Sequence, residues 1–419
     1  MAARESNERL RTLLAQSCCS GAALAREINT VAAESGERTS YTRTSVGQWL
    51  AGTSPRRPVP HYVVEVLSRR LGRPVTLTEA GFPEENSPTV YSVADLSVPA
   101  WPDAGTLITR RPKRRAGPIT CGQTEVNAAR TALRVFSAAE RTLGAGHVRR
   151  SLTQYLATGV EPLLQGNCTS AKTLEELLSI ASQLYYLCGF TWFDDELHGG
   201  ALRYYRDSLR LAAEAHNAEV YAIALRAMSV QAHMLGHRNQ AVQLAEASAE
   251  TLVDKASPTQ AFVVGQLAVA RAAAGERRAA VTALCRAERH FERVDDPQVI
   301  GTHHAASLAH QRAKMCAALC DRAGATRALM ESIRHRPATE LRSRAITLAM
   351  LAELQLGAGE LDRAVATWHR FLDTYPLINS GRATNAVAFM RSVLRPHRRN
   401  RGVVNLLARS ADLRDSRRA

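Results

Sequence analysis

Acidic residues are scarce relative to basic ones in this sequence: 39 Asp and Glu stand against 54 Lys and Arg, a formal charge of +15 with histidine neutral. An excess of that size suits a polyanionic partner, with nucleic acid the first candidate. Aromatic residues are also few, at 5%. No stretch approaches the 18 or so apolar residues a membrane span needs, and the opening "MAARESNERL" is charged where a signal peptide would be apolar. A cytoplasmic protein without membrane contact is therefore expected.

Eight cysteines, Cys18, Cys19, Cys121, Cys168, Cys188, Cys285, Cys316 and Cys320, lack the paired spacing of a disulfide framework or a zinc site. They read as reduced, buried thiols. Catalytic signatures are missing as well: there is no Gly-rich phosphate loop, nucleophile elbow, HExxH or convincing acid pair, so neither enzyme nor cofactor is expected. The acidic "FDDEL" from Phe193 to Leu197 falls near a turn and reads as solvated charge. The adjoining His303 and His304 receive no role.

Composition divides the chain into three regions: residues 1–82, a polar helix-patterned unit; 83–118, rich in Pro, Ser and charge, with the basic run Arg110 to Arg115; and 119–419, helical almost throughout. The middle region reads as a basic linker, extended in places, because its prolines deny it a sustained helix.

Within the last region a pattern recurs. Small residues at Gly189, Ser229, Ala268, Ala313 and Ala352 are each followed twelve positions later by Ala201, Ala241, Ala280, Ala325 and Ala364. Small side chains let two antiparallel helices cross closely. A bulky residue follows four later at Tyr205, Leu284, Leu329 and Trp368, with Ala245 the exception, and Gly236, Gly275 and Gly359 mark the turns. This resembles the tetratricopeptide repeat, at spacings of 40, 39, 45 and 39 residues instead of the usual 34. The segment from Thr120 to Gly166 lacks the signature and reads as a helical cap. The resemblance implies a concave surface carrying Tyr186, Phe190, Arg226, His233, His310, Lys314 and Glu353, a mixture suited to a peptide or a small anion.

In the first region, helices are expected from near Ser6 and after Ser20, an N-cap candidate. A third, within "YTRTSVGQWLAG", sets Val46, Trp49 and Leu50 on one face and Arg43, Thr44, Ser45 and Gln48 on the other, with Thr42 at its start and Gly52 at its stop. The polar face offers donors and acceptors for base edges, and Arg56 and Arg57 follow where a phosphate backbone could run. The order of helices, the "SVGQWLAG" register and "LSRRLGRPVTLTEAGF" resemble the lambda-repressor-like helix-turn-helix domains of the XRE family over residues 6 to about 82.

Helix-turn-helix unit, linker and repeats together are similar to actinobacterial regulators of development and secondary metabolism, and more distantly to the peptide-sensing RRNPP group. The resemblance implies an all-α protein: an N-terminal helix-turn-helix bundle, a linker and a C-terminal tetratricopeptide-like α-solenoid. It further implies a homodimeric repressor or activator bound to double-stranded operator DNA, with a peptide or small-molecule effector in the repeat domain. The rival reading is a protein-interaction scaffold that does not touch an operator.

Overall fold

A computed structural model of the chain describes residues 6–83, 90–96, 101, 119–252, 258–291 and 304–416. They are helical nearly throughout, as the composition implies. Among them the only strands are Thr120–Cys121 and Asn167–Cys168, paired parallel with Cys121 opposite Cys168.

The first unit contains α1 (Glu8–Gln16), α2 (Gly21–Glu34), α3 (Arg43–Leu50) and α4 (Val59–Leu71). Ser20 caps α2 as expected, its hydroxyl accepting the Ala23 N–H. Leu10, Leu24, Ile28, Val46, Trp49, Tyr62 and Leu67 form one buried cluster, so α3 is held by the face that the sequence assigns to the interior. Gly52, at φ +90°, follows α3 and turns the chain with a backbone conformation that costs glycine little.

The linker departs from expectation. Val90 joins the core of the first unit, whereas Tyr91, Val93 and Leu96 are buried in that of the repeats. This piece is a packed strap, because its apolar side chains find a face on each unit. The basic run Arg110 to Arg115 lies outside the described residues.

The second unit opens with α5 (Gln123–Leu143), α6 (Ala145–Tyr155) and the short α7 (Glu161–Gln165), over the stretch that lacks the repeat signature. Five antiparallel pairs then stack into a solenoid. They are α8 (Ala171–Asp194) with α9 (His198–Glu214), α10 (Ala218–Met234) with α11 (Arg238–Glu250), α12 (Pro258–Ala273) with α13 (Arg277–Phe291), α14 (Ala305–Ala318) with α15 (Arg322–His335), and α16 (Leu341–Gly357) with α17 (Leu361–Thr374). Helices α18 (Gly381–Val393) and α19 (Arg401–Ser416) follow.

All ten small positions of the repeat are buried. In the first copy a Cβ on Gly189 would come within 2.7 Å of the Tyr205 ring, and in the second Ser229 donates to the Ala241 carbonyl at 2.7 Å.

The solenoid closes upon itself. The Asn379 N–H donates to Leu143 O at 2.8 Å, the Gly146 N–H donates to Asn379 O at 2.9 Å, and Arg342 on α16 pairs with Glu140 on α5 at 2.6 Å. Glycine permits this clasp. Gly144 lies at φ +87°, and a Cβ there would stand 2.5 Å from the Asn379 carbonyl.

Closure also corrects the reading of "FDDEL". Phe193 and Asp194 are buried, and Asp195 pairs with Arg149 at 2.6 Å. The far end of the chain covers these acids with Arg342 and Arg382, so they are not solvated charge. The cysteines need correction too: all eight are free, but only Cys19, Cys121 and Cys188 are buried, while Cys18, Cys285 and Cys320 are exposed. His304 bonds Glu340 at 2.8 Å, and His303 lies outside the described residues. Among the described residues no helix is long and apolar enough to cross a membrane.

Candidate functional sites: an outward polar helix and a cationic cavity

Helix α3 is short and depends on its supports. From α2, the Asn29 carboxamide oxygen accepts the Thr39 hydroxyl at 2.8 Å and the Tyr41 N–H at 2.9 Å, while its nitrogen donates to Tyr41 O at 3.0 Å. One buried-edge amide thereby fixes the loop between α2 and α3, which is longer than a tight turn requires. Tyr41 then packs edge-on against Trp49 at 5.4 Å. At the helix end, the Asn7 N–H donates to Leu50 O at 3.0 Å.

So braced, α3 leaves Thr42, Arg43, Thr44 and Gln48 exposed. Ser45 is half-buried, and its hydroxyl oxygen accepts the Thr42 N–H at 3.3 Å, so this side chain starts the helix as well as edging the polar face. Arg56 and Arg57 are exposed. The acids of the unit are engaged elsewhere: Arg69 holds Glu34 and Glu65, Arg70 holds Glu27, and Arg73 holds Glu79. Arg26, Arg38, Arg43 and Arg56, by contrast, have no carboxylate partner among the described residues, which leaves positive potential around α3.

The second site lies inside the closed solenoid. It is a cavity of about 240 Å³ bordered by α5, α8, α9, α10, α12, α14, α16 and α18. Of the seven residues that the repeat pattern places on the concave surface, Tyr186, Phe190, Arg226, His310 and Lys314 line it. His233 and Glu353 do not. The cavity takes Arg226, Ala227 and Val230 from α10 and Arg342 to Thr347 from α16, and at about 1.5 Å per residue both excluded side chains lie beyond its rim.

Six cations and two carboxylates face this space, and the pairing between them is incomplete. Arg342 pairs with Glu140, and Arg336 with Glu340 at 2.7 Å. Burial opposes the charge on Arg342, yet Glu140 and Asp194 outweigh it and hold its pKa above the ordinary value. Arg226, Lys314 and Arg382 have no ion-pair partner among the described residues. Arg226 stacks over Phe262 at 4.0 Å and leaves its buried Nε without a hydrogen bond, while Arg382 lies 5.5 Å from the Phe193 ring.

The electrostatic cost shows on Lys314. Burial first, then repulsion from Arg382 and Arg226, brings its pKa down to about 7. His310, bonded through Nδ1 to the Thr347 hydroxyl at 3.3 Å, is held well below its usual pKa by burial and then by Lys314. Both side chains border the cavity and retain some accessible surface there. Sequence reasoning missed Arg382 altogether, since α18 lies past the last repeat and no periodicity places it. Among the described residues no cluster of His, Cys, Asp and Glu could hold a metal ion.

The fold and these two sites describe an all-helical protein with a small polar-faced helical unit docked on a closed solenoid. Residues 10–83 match the family described as the SP15 N-terminal domain. No curated protein matches the chain.

Proposed function

We propose that this protein is a sequence-specific DNA-binding transcription regulator of helix-turn-helix type, with α3 as the recognition helix and the tetratricopeptide-like solenoid as its effector-responsive and dimerising part. The observation that carries the reading is the division of α3: Val46 and Trp49 are sunk in the core, while Arg43, Thr44 and Gln48 face outward with donors and acceptors free. Those residue types match the hydrogen-bonding edges of a major groove, and a helix of two turns fits its width. The unpaired arginines around α3 and the overall charge of +15 supply the sequence-independent attraction to phosphates.

Recovering genomic fragments bound by the purified full-length protein tests the proposal. A shared motif is expected, with two half-sites about one DNA turn apart if the protein binds as a dimer. Its affinity should fall steeply as salt rises, through counterion release. Recovery of no common sequence, with binding insensitive to salt, would favour the scaffold reading instead.

A further inference from the structure

The interior of the solenoid raises a question that DNA binding does not answer. Three cations without ion-pair partners converge on one cavity, although burying like charges together destabilises a fold and a hydrophobic filling would pack better. Such an arrangement persists where a missing opposite charge completes it.

We propose that the ring cavity binds a small organic anion with an apolar body, its acidic group taken by Arg226, Lys314 and Arg382 and its body lying against Tyr186, Phe190 and Val230. The inference rests on the reading of the repeat domain as effector-responsive for its consequence on DNA, but the binding itself stands on the cavity alone.

Size, charge and shape each narrow the ligand. At about 240 Å³ the space falls a little below the range of roughly 300 to 1,000 Å³ typical of drug-sized ligand pockets. That suits a molecule of one ring and an acidic group. Charge selects an anion, because every carboxylate lining the space is already paired with an arginine. Two of the three cations without ion-pair partners also lie over aromatic rings, Arg226 4.0 Å from the centre of Phe262 and Arg382 5.5 Å from that of Phe193. A guanidinium can present a two-pronged edge to a carboxylate or phosphate. The remaining polar walls, Gln266, Gln311 and Ser307, can hydrogen-bond a substituent without adding charge.

Binding is measured on the full-length protein in the absence of DNA, by calorimetry and thermal shift. The probes are benzoate, phenyl phosphate and hexanoate, with benzyl alcohol as the neutral analogue and inorganic phosphate as the anion without a body. The organic anions are expected to bind tighter than about 1 mM and to raise Tm as their concentration exceeds Kd. Benzoate and phenyl phosphate together tell which acid the site prefers. Lys314→Met and Arg382→Met are each expected to weaken the best anion tenfold or more; Lys314→Met should also raise the Tm of the unliganded protein, since it removes a charge that Arg226 and Arg382 repel. Arg278→Met, at an exposed site outside the cavity, should change neither.

Binding of benzyl alcohol as tight as benzoate, inorganic phosphate as tight as phenyl phosphate, or no saturable binding of any organic anion overturns the proposal. So does unchanged anion binding in both cavity variants. Operator binding is assayed separately on the same proteins, so loss of the DNA reading leaves the cavity result standing, and the reverse.

Discussion

Arg43, Gln48 and Arg56 are all exposed polar residues, but their places in the unit assign them different work. Arg43 and Gln48 project from α3, so substituting either by alanine is expected to weaken operator binding by about 1 to 3 kcal/mol and to relax preference at one base position. Arg56 lies on the loop beyond the helix; its removal should weaken all sequences alike and reduce the salt slope by about one. A gel-shift series on matched and mismatched operators separates the two patterns. Full discrimination by Arg43→Ala would remove α3 from the role of reader.

Lys314 carries the pH dependence. Its pKa of about 7 in the fold lies below the ordinary lysine value of 10.5, so between those values the unfolded chain holds more protons than the folded one. Stability therefore rises with pH across that window. Around Lys314 stand Arg226 and His233 on α10, His310 on α14 and Arg382 on α18. The two arginines keep their charge throughout, and burial holds both histidines neutral, His233 at about 4. Wild-type Tm is accordingly expected to climb from pH 7 to 9 relative to Lys314→Met. An anion restores the lysine's charge, so its binding should take up a proton and weaken as pH rises above 7. Calorimetry in buffers of different ionisation enthalpy reads that proton directly.

At the scale of elements, the helix pairs were legible because close crossing demands small residues at fixed separations, and the ten that mark the repeats are all buried. A second regularity was present and went unread. Ser208, Ser248 and Ser332 each fall seven residues after the later alanine and donate to the carbonyls of Ser182, Ala222 and Ala306 at 2.6–2.8 Å, strapping the second helix of a pair to the first. Ala287 and Phe371 take that place in the other copies, which hid the rule. Ser248→Ala should cost about 0.5 to 1.5 kcal/mol in denaturant unfolding.

Closure of the ring could not be read at all. The Arg342–Glu140 pair joins residues 202 apart, and nothing in local pattern announces such a contact. The misreading of Asp194 and the omission of Arg382 have this same cause: whether a charge is solvated depends on what the far end of the chain covers. Two glycines test the clasp. Gly144 and Gly236 have φ of +87° and +90°, but a Cβ on Gly236 meets nothing within 4 Å, whereas one on Gly144 strikes Asn379. Gly236→Ala should cost about 1 to 2 kcal/mol of backbone strain. Gly144→Ala should cost more, loosen the ring in small-angle scattering, and weaken anion binding; equal effects of the two would mean that the clasp does not hold the cavity.

For the molecule as a whole, the question is how a filled cavity would be felt at α3. A buried contact among the described residues links the units: Glu65 on α4 accepts from Arg69 at 2.7 Å and bonds His237 Nε2 at 2.8 Å, with Tyr91 of the strap stacked on the imidazole at 5.8 Å. His237 stands at the turn directly after α10, the helix that presents Arg226 to the cavity. Movement of α10 around an anion would therefore shift the partner of Glu65, and with it the seating of the whole first unit. His237→Leu would cut this link and leave Glu65 with Arg69, at about 1 to 3 kcal/mol for the lost partner of a buried carboxylate. With a bound anion, wild-type protein is expected to change operator affinity by about 5- to 150-fold, and operator to change anion affinity by the same factor. In His237→Leu each ligand should bind alone nearly as in wild type, while the factor connecting them falls towards one. A variant that retained the full factor would show that the two sites communicate by a route other than Glu65 and His237.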